Sequence, residues 1–292
     1  MKCSVVIPTL NRPEAVTGLV EQILRQDFHD KEIIIVDQSP EVNIDLERLD
    51  ATRNDVRYLR REKPSTTAAR NMGWKTAQGE IIVFFDDDTD LLDAHVLSQH
   101  IKNYENENIG GVGGRVKDDQ ALNKIDGGPV CAVTWTGVIH PNADSDMRQP
   151  ISAPRGGNMS FRRKVIEEVG GFDERFRGNA MREETDFSLR VVRAGHIIMF
   201  DPLAAVAHRT LLYGGSRDKD RISWYEDFFF NETLFFVKHF PLTLFPLLLL
   251  RKTRPIIACM VYYGKGRPRA LRAPWKGITH GWKAARIPLQ KD

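Results

Sequence analysis

The chain has 292 residues, 41% hydrophobic and 28% charged, which leaves room for one large α/β domain, or for one domain and a C-terminal appendage. Cys3, Cys131 and Cys259 are too isolated for a zinc spacing or a disulfide framework, and this favours a reducing compartment. The net charge of +3 conceals a division: residues 251–292 hold eleven Lys or Arg against Asp292 alone, while the preceding 250 hold 31 bases and 38 acids.

The first half alternates strand and helix signals. Val5-Val6-Ile7 stops at Pro8 and is followed by Asn11 and Arg12, so the run from Cys3 to Ile7 reads as a buried strand and not as a signal peptide. Val16, Leu19, Val20, Ile23 and Leu24 recur at helical spacing behind Pro13. Glu32 to Val36 predicts a second strand ending at Asp37, and Val56 to Leu59 a weaker third. Ala68 to Ala77 predicts a helix closed by Gly79, and Ile81 to Phe85 a strand that runs into Asp86-Asp87-Asp88. This rhythm implies an α/β fold with a doubly wound, mostly parallel sheet, whose ligands sit beyond the carboxyl ends of the strands. Asp37 and the three aspartates are then expected to face one crevice. With no GxGxxG after the first strand, a dinucleotide fold is disfavoured.

The second half is less regular. Residues 117–155 are polar, with Gly and Pro, and are expected to form a loop over the crevice. Gly156-Gly157-Asn158 leads to a helix from about Arg163 to Val169. After Gly170-Gly171-Phe172-Asp173, a second helix starts at Glu183-Glu184-Thr185-Asp186 and runs to Gly195.

Three carboxylates at a strand end repel one another unless a cation or donors compensate, and hard oxygen ligands suit Mg²⁺ or Mn²⁺ with substrate phosphates. The alternative is a solvated loop. A phosphatase-like DxDx[TV] pattern fails, because position 90 is Asp90. The helix opening at Thr67 can attract an anion and hold Arg70 over a base or phosphate, or Arg70 is simply solvated. Glu183, Glu184 and Asp186 stabilise a helix dipole, yet they exceed what a cap needs and can supply a general base. His208 follows an apolar run and is either structural or a metal ligand.

Taken together these residues resemble the family-2 class of GT-A glycosyltransferases. Pro8-Thr9-Leu10-Asn11-Arg12 is similar to its nucleotide loop, Asp37 to its base-binding acid, and Ala68-Ala69-Arg70-Asn71-Met72-Gly73 to its next signature. Asp86-Asp87-Asp88 stands at its DxD motif; Gly157-Asn158-Met159 and Gly170-Gly171-Phe172-Asp173 resemble its acceptor half. Glu183-Glu184 stands where the family often has Glu-Asp, and His208 matches its late histidine.

The resemblance implies an inverting transferase that moves a sugar from a nucleotide-diphospho-sugar donor to a glycan or lipid-linked acceptor. Asp88 and His208, with Asp86, would hold Mg²⁺ or Mn²⁺. Pro8, Thr9, Asn11, Arg12, Asp37, Arg70, Asp86 and Asp87 would line the nucleotide site. Glu184, or its neighbour Glu183, would be the base, with Asp186 beside them. One alternative is a sugar nucleotidyltransferase, disfavoured because Thr9 to Pro13 contains no glycine; another is a catalytically silent, membrane-bound partner.

The organisation expected is a nucleotide-sugar half over 1–116, an acceptor and catalytic half over 117–215, and a helical, basic appendage over 216–292. Phe240 to Leu250 is apolar but too short to span a bilayer, and joining it to Ile256–Tyr263 would put Arg251, Lys252 and Arg254 mid-membrane. The expected partner of the tail is therefore an anionic membrane surface on the cytoplasmic side, with Trp275, Trp282, Tyr262 and Tyr263 at headgroup depth, and no nucleic acid. The alternative is that Phe228 to Leu250 covers the catalytic core and the tail is solvated.

Overall fold

The fold starts from seven elements: β1 (Cys3–Thr9), α1 (Pro13–Leu24), β2 (Lys31–Asp37), α2 (Ile44–Thr52), β3 (Val56–Arg60), α3 (Thr66–Thr76) and β4 (Ile81–Phe85). The computed structural model describes residues 1–118, 128–178, 180–211, 213–215, 220–262 and 268–288. Every residue of β1, β2 and β4 is buried, as strands covered on both faces require. α1 begins with Pro13 and turns Val16, Leu19, Val20 and Ile23 onto the sheet. α3 starts two residues earlier than expected, because the Ser65 hydroxyl accepts the Ala68 amide as its cap. It ends at an extended Ala77, not at Gly79. Gly79 serves a different need: a Cβ there would lie 2.7 Å from the Cys3 carbonyl carbon.

β5 (Thr89–Leu91), α4 (Val96–Lys102), β6 (Ile109–Asp118), β7 (Ala132–Val133), β8 (Ile139–His140), β9 (Gln149–Ile151) and β10 (Asn158–Arg162) follow. The expected loop over 117–155 therefore contains the end of β6, a β7–β8 hairpin and β9; residues 119–127 lie outside the described residues. α5 (Arg163–Val169) and α6 (Glu183–Arg193) lead to β11 (Ile197–His208). The sheet order is β3-β2-β1-β4-β10-β6-β11-β5, with β9 paired to β11. β3, β2, β1, β4, β6 and β11 point one way and β10 runs between β4 and β6 in the opposite sense, so the central sheet is mostly parallel. Thr9 pairs with Asp37 in this register, and Val6 with Phe84, so the chain after β1, β2 and β4 emerges at one end of the sheet.

The C-terminal region is helical: α7 (Arg221–His239), α8 (Phe245–Arg251), α9 (Thr253–Tyr262) and α10 (Pro268–Ala285). α10 lies along α7 in the same direction through Ala270, Ala273, Gly277 and Gly281, all buried. A Cβ on Gly277 would stand 2.4 Å from the Glu226 carbonyl oxygen, and one on Gly281 2.5 Å from that of Phe230. Only glycine permits that approach. The tail is thus packed against α7 through α10 and is not simply solvated. Trp282 is drawn inward against Phe245, at 4.9 Å between ring centroids, whereas Trp275 is exposed. The Tyr262 side chain and Tyr263 lie outside the described residues. Among the described residues, no helix is long and apolar enough to cross a membrane.

Candidate active site

A crevice of ≈ 550 Å³ opens at the carboxyl end of β1 and β4. It is lined by Pro8, Thr9 and Arg12 after β1, by Arg70 of α3, by Asp86, Asp87 and Asp88 after β4, and by Gly156-Gly157 before β10. Arg182, Glu183 and Glu184 from the start of α6, and His208 from the end of β11, complete it. Residues far apart in sequence meet here because the strand ends do.

The three aspartates have three different surroundings. Asp87 faces inward: its Oδ2 accepts from the Thr9 hydroxyl at 2.7 Å and its Oδ1 from Arg12 at 2.6 Å. Burial pushes its carboxyl up to about 6, against the lowering effect of Arg12 and Thr9. Asp88 shares the same guanidinium through Oδ2 at 2.8 Å, while its Oδ1 lies 3.5 Å from His208 Nε2. Burial raises the Asp88 carboxyl as well, but His208 and Arg12 outweigh it and hold it below the usual carboxylate range. Asp86 is the open one, with its side chain 38% exposed and one oxygen bound by Arg70 at 2.8 Å. Arg12 is thus the donor for two of the three acids at the strand end, and Arg70 for the third.

Arg70 is fully inside the protein. It bonds Asp86, Glu183 and, at 3.2 Å, the Gly156 carbonyl, and it sits 5.6 Å from the centre of the Phe172 ring. A Cβ on Gly156 would come within 2.8 Å of the Arg70 guanidinium. The structure therefore does not bring Arg70 to Asp37; it uses Arg70 as a strut between Asp86 and the helix that carries Glu183. Asp37 lies outside the crevice lining, with Oδ1 held by the Ser39 amide and hydroxyl and Oδ2 by Tyr58 and Arg60. Those bonds shape the adjoining smaller pocket of Leu10, Asn11, Gln38, Ser39, Pro40, Arg60, Glu62 and Pro64. Asn11 reaches it in a left-handed conformation, φ 55°, with its amide on the Ser39 hydroxyl.

The two acids at the start of α6 also differ. Glu183 is buried and bound to Arg70. Glu184 lines the crevice half-buried, and among the described residues no side chain or amide pairs with its carboxylate. Arg182, which the sequence reading passed over, precedes them at φ +82°, an outlying conformation for a non-glycine residue, and is held there by Glu232 of α7 at 2.8 Å. A second unforeseen clamp joins two motifs: the Asn71 side chain donates to the Phe172 carbonyl and accepts the Phe172 amide, both at 2.8 Å. Positive φ at Gly171 lets the chain pass this close. No local pattern marks such pairs, since the partners are 101 residues apart.

Asp186 is not part of the crevice. It is fully buried and bound by His239 at 2.8 Å, by Arg190 at 3.0 Å and by Lys238. Burial alone would raise its carboxyl, but these partners outweigh burial and hold it far below the usual carboxylate range. Its place is to pin α6 to α7. His239 is neutral in this arrangement: Nε2–H donates to Asp186 while Nδ1 accepts from Arg193 at 2.6 Å, and burial lowers its proton affinity. An unfolded imidazole takes up a proton near pH ~6.5, and the folded His239 does not, so its contribution to stability falls as pH drops through that value. Asp186 acts in the same direction at lower pH, its stabilisation being intact above an unfolded value of ~3.9 and lost below it. We expect the melting temperature to fall from pH 8 to pH 5, with a shallower slope in His239→Gln, whose amide keeps the bond to Asp186. Equal slopes would contradict a neutral buried His239.

The glycosyl transferase family 2 model matches residues 4–170. A glucosyl-dolichyl phosphate glucuronosyltransferase of Haloferax volcanii is 25% identical over 223 residues, covering 73% of this chain and 71% of that protein. A GalNAc(5)-diNAcBac-PP-undecaprenol beta-1,3-glucosyltransferase of Campylobacter jejuni is 33% identical over 95 residues, 31% of each chain. The mannosyltransferase PcManGT of Pyrobaculum calidifontis, solved in complex with GDP-Man and Mn²⁺, is 17% identical with a TM-score of 0.57, over 97% of this chain and 73% of that one. That likeness is one of fold, and it places the mixed α/β sheet among GT-A structures. With the family match spanning more than half of its length and the GT-A sheet beneath its site, the chain belongs to glycosyl transferase family 2.

Proposed function

We propose that the protein is a metal-dependent, inverting transferase that moves a sugar from a nucleoside diphosphate to a hydroxyl of a lipid-linked or cell-surface glycan precursor. The observation that carries this reading is the crevice itself, which holds together the Asp88–His208 pair, the open carboxylate of Asp86 and the carboxylate of Glu184, unpaired among the described residues. Asp88 and His208, 3.5 Å apart, would hold the cation, with the partly exposed Asp86 in the same crevice. Among the described residues no group of three or more His, Cys, Asp or Glu is gathered to hold a metal ion. Mg²⁺ or Mn²⁺ would therefore take one or two of these side chains and complete its shell with substrate phosphates and water. When bound, such a cation supplies positive charge to the departing diphosphate.

The chain's own residues do the rest. Glu184 takes the proton from the acceptor hydroxyl as its oxygen bonds to the anomeric carbon. The sugar–phosphate bond breaks on the other face, and the nucleoside diphosphate leaves with the electron pair. Arg70 keeps Glu183 and Asp86 in register, and the smaller pocket beside Asn11 and Ser39 receives the base. The lipid-linked acceptor is drawn from the dolichyl phosphate and undecaprenol named for the relatives. A peripheral seat on the inner, cytoplasmic face of the membrane suits such an acceptor and the basic tail. The test is a panel of nucleotide sugars assayed with Mn²⁺ or Mg²⁺ for release of nucleoside diphosphate. One donor class is expected to turn over, and excess chelator to stop it; release undiminished by chelator would refute the metal's part. Pyrophosphate formed from a nucleoside triphosphate and a sugar phosphate would indicate a nucleotidyltransferase.

A further inference from the structure

We propose that Trp135, at the tip of the β7–β8 hairpin, seats the protein on an anionic bilayer together with the adjacent edge of α8, so that the crevice opens beside the membrane surface. This rests on the lipid-linked acceptor reading above and assigns that reading a surface.

Trp135 is 79% exposed, more than any other large hydrophobic residue described. Its turn is closed without help from the indole. The Thr134 amide donates to the Val138 carbonyl at 2.8 Å, and the Gly137 amide to the Thr134 carbonyl at 2.9 Å. The Thr134 hydroxyl accepts the Val138 amide at 3.0 Å, and Gly137 turns the chain at φ +80°. A rigid turn that holds an indole in solvent does nothing for the core, and an amphipathic ring of this kind is favoured at headgroup depth.

The neighbours share that character. Arg251, at the end of α8, donates to the Thr136 carbonyl at 2.8 Å and to its hydroxyl at 3.1 Å, which fixes α8 beside the hairpin tip. Leu250 is 66% exposed and Leu242, just before α8, is 50% exposed, with Arg251 and Arg254 exposed among them. Apolar side chains flanked by cations, on helices too short to span, describe a surface that dips into the headgroup boundary and meets anionic lipid. Arg251 and Arg254, exposed on this edge, supply the charge complementarity. The hairpin's other strand reaches the crevice, where Ile139 and, just after the strand, Pro141 are lining residues. One hairpin therefore borders both the reaction site and the apolar, basic edge.

The experiment uses the full chain with phosphatidylglycerol–phosphatidylcholine vesicles, and with phosphatidylcholine alone. Sedimentation is compared for the wild type and Trp135→Ser, whose fold is checked by its melting temperature. Brominated acyl chains are then used to quench the wild type and Trp135→Phe. Binding to anionic vesicles is expected to weaken about tenfold in Trp135→Ser, and bromine to quench the wild type more than Trp135→Phe. Equal binding by wild type and Trp135→Ser overturns the hairpin's role while leaving the membrane reading intact. A wild type that ignores anionic vesicles overturns both, and equal binding to neutral vesicles overturns the choice of anionic lipid.

Discussion

Replacing Glu184 with Gln is expected to lower the rate of transfer by about 10²–10⁴-fold, the usual contribution of a positioned base. The amide keeps the size and the hydrogen bonding of the carboxylate but cannot take a proton. Glu184 lines the crevice with no partner among the described residues, whereas Glu183 is buried against Arg70. Affinity for the nucleoside diphosphate, measured by calorimetry with Mn²⁺, is expected to stay within about twofold, because an interaction made only in the transition state lowers kcat without changing ground-state binding. Glu183→Gln is expected to act differently: it disturbs the Arg70 strut, and with it Asp86, so donor binding changes too. An active Glu184→Gln beside a dead Glu183→Gln that still binds donor normally would reverse the assignment.

Removing the Asp88 carboxylate, as Asp88→Ala, is expected to cost about 10³-fold in turnover, several kcal/mol of stabilisation at the departing phosphate. Asp88 accepts from Arg12 and lies 3.5 Å from His208, so the variant removes that carboxylate from both and leaves Arg12 bonded to Asp87 and the Tyr213 carbonyl. Unlike Glu184→Gln, it should also weaken Mn²⁺-dependent binding of the nucleoside diphosphate. The residual rate should match that of the wild type in excess chelator, since both lack the same cation. A variant that turns over normally, or that binds the metal–nucleotide pair as well as the wild type, would remove Asp88 from the metal site.

The sheet was legible where burial is two-sided. β2 and β4 carry apolar runs that end at Asp37 and Asp86, β1 carries one that ends at Pro8-Thr9, and their ends predicted where a crevice must form. α2 was missed because Leu46 is its one buried residue and Leu49 packs only partly beside it, too short an apolar stripe to read. β5 and β9 were missed because three residues carry no period. At the site, residue types and spacing marked the acids but not what they bond to. Asp87 and Asp88 look alike in sequence, and Arg12, 75 and 76 residues away, separates them. Asp186 looked like a third acid of a catalytic helix start, until Lys238 and His239 reached it from α7. Such pairings are long-range consequences of packing, which local patterns do not contain. The α10 stripe, by contrast, was open to reading: Ala270, Ala273, Gly277 and Gly281 recur at helical spacing.

The three cysteines give the molecule its own reporters of local opening. Cys3 lies in β1, Cys131 at the base of the β7–β8 hairpin, and Cys259 in α9, and all are buried free thiols. Burial pushes Cys3 and Cys131 up to about 12 and raises Cys259 as well, so a thiol reagent finds almost no thiolate in the closed protein. Each sulfur reacts only when its own neighbourhood opens, and the three rates therefore divide motion among regions that a single melting curve averages. Cys3 is tied to the large core under the sheet, while Cys259 belongs to a small cluster with Ile222, Ala270 and Ala273. Breathing of the C-terminal helices is thus chemically distinguishable from breathing of the sheet, in the native chain and without an added label site.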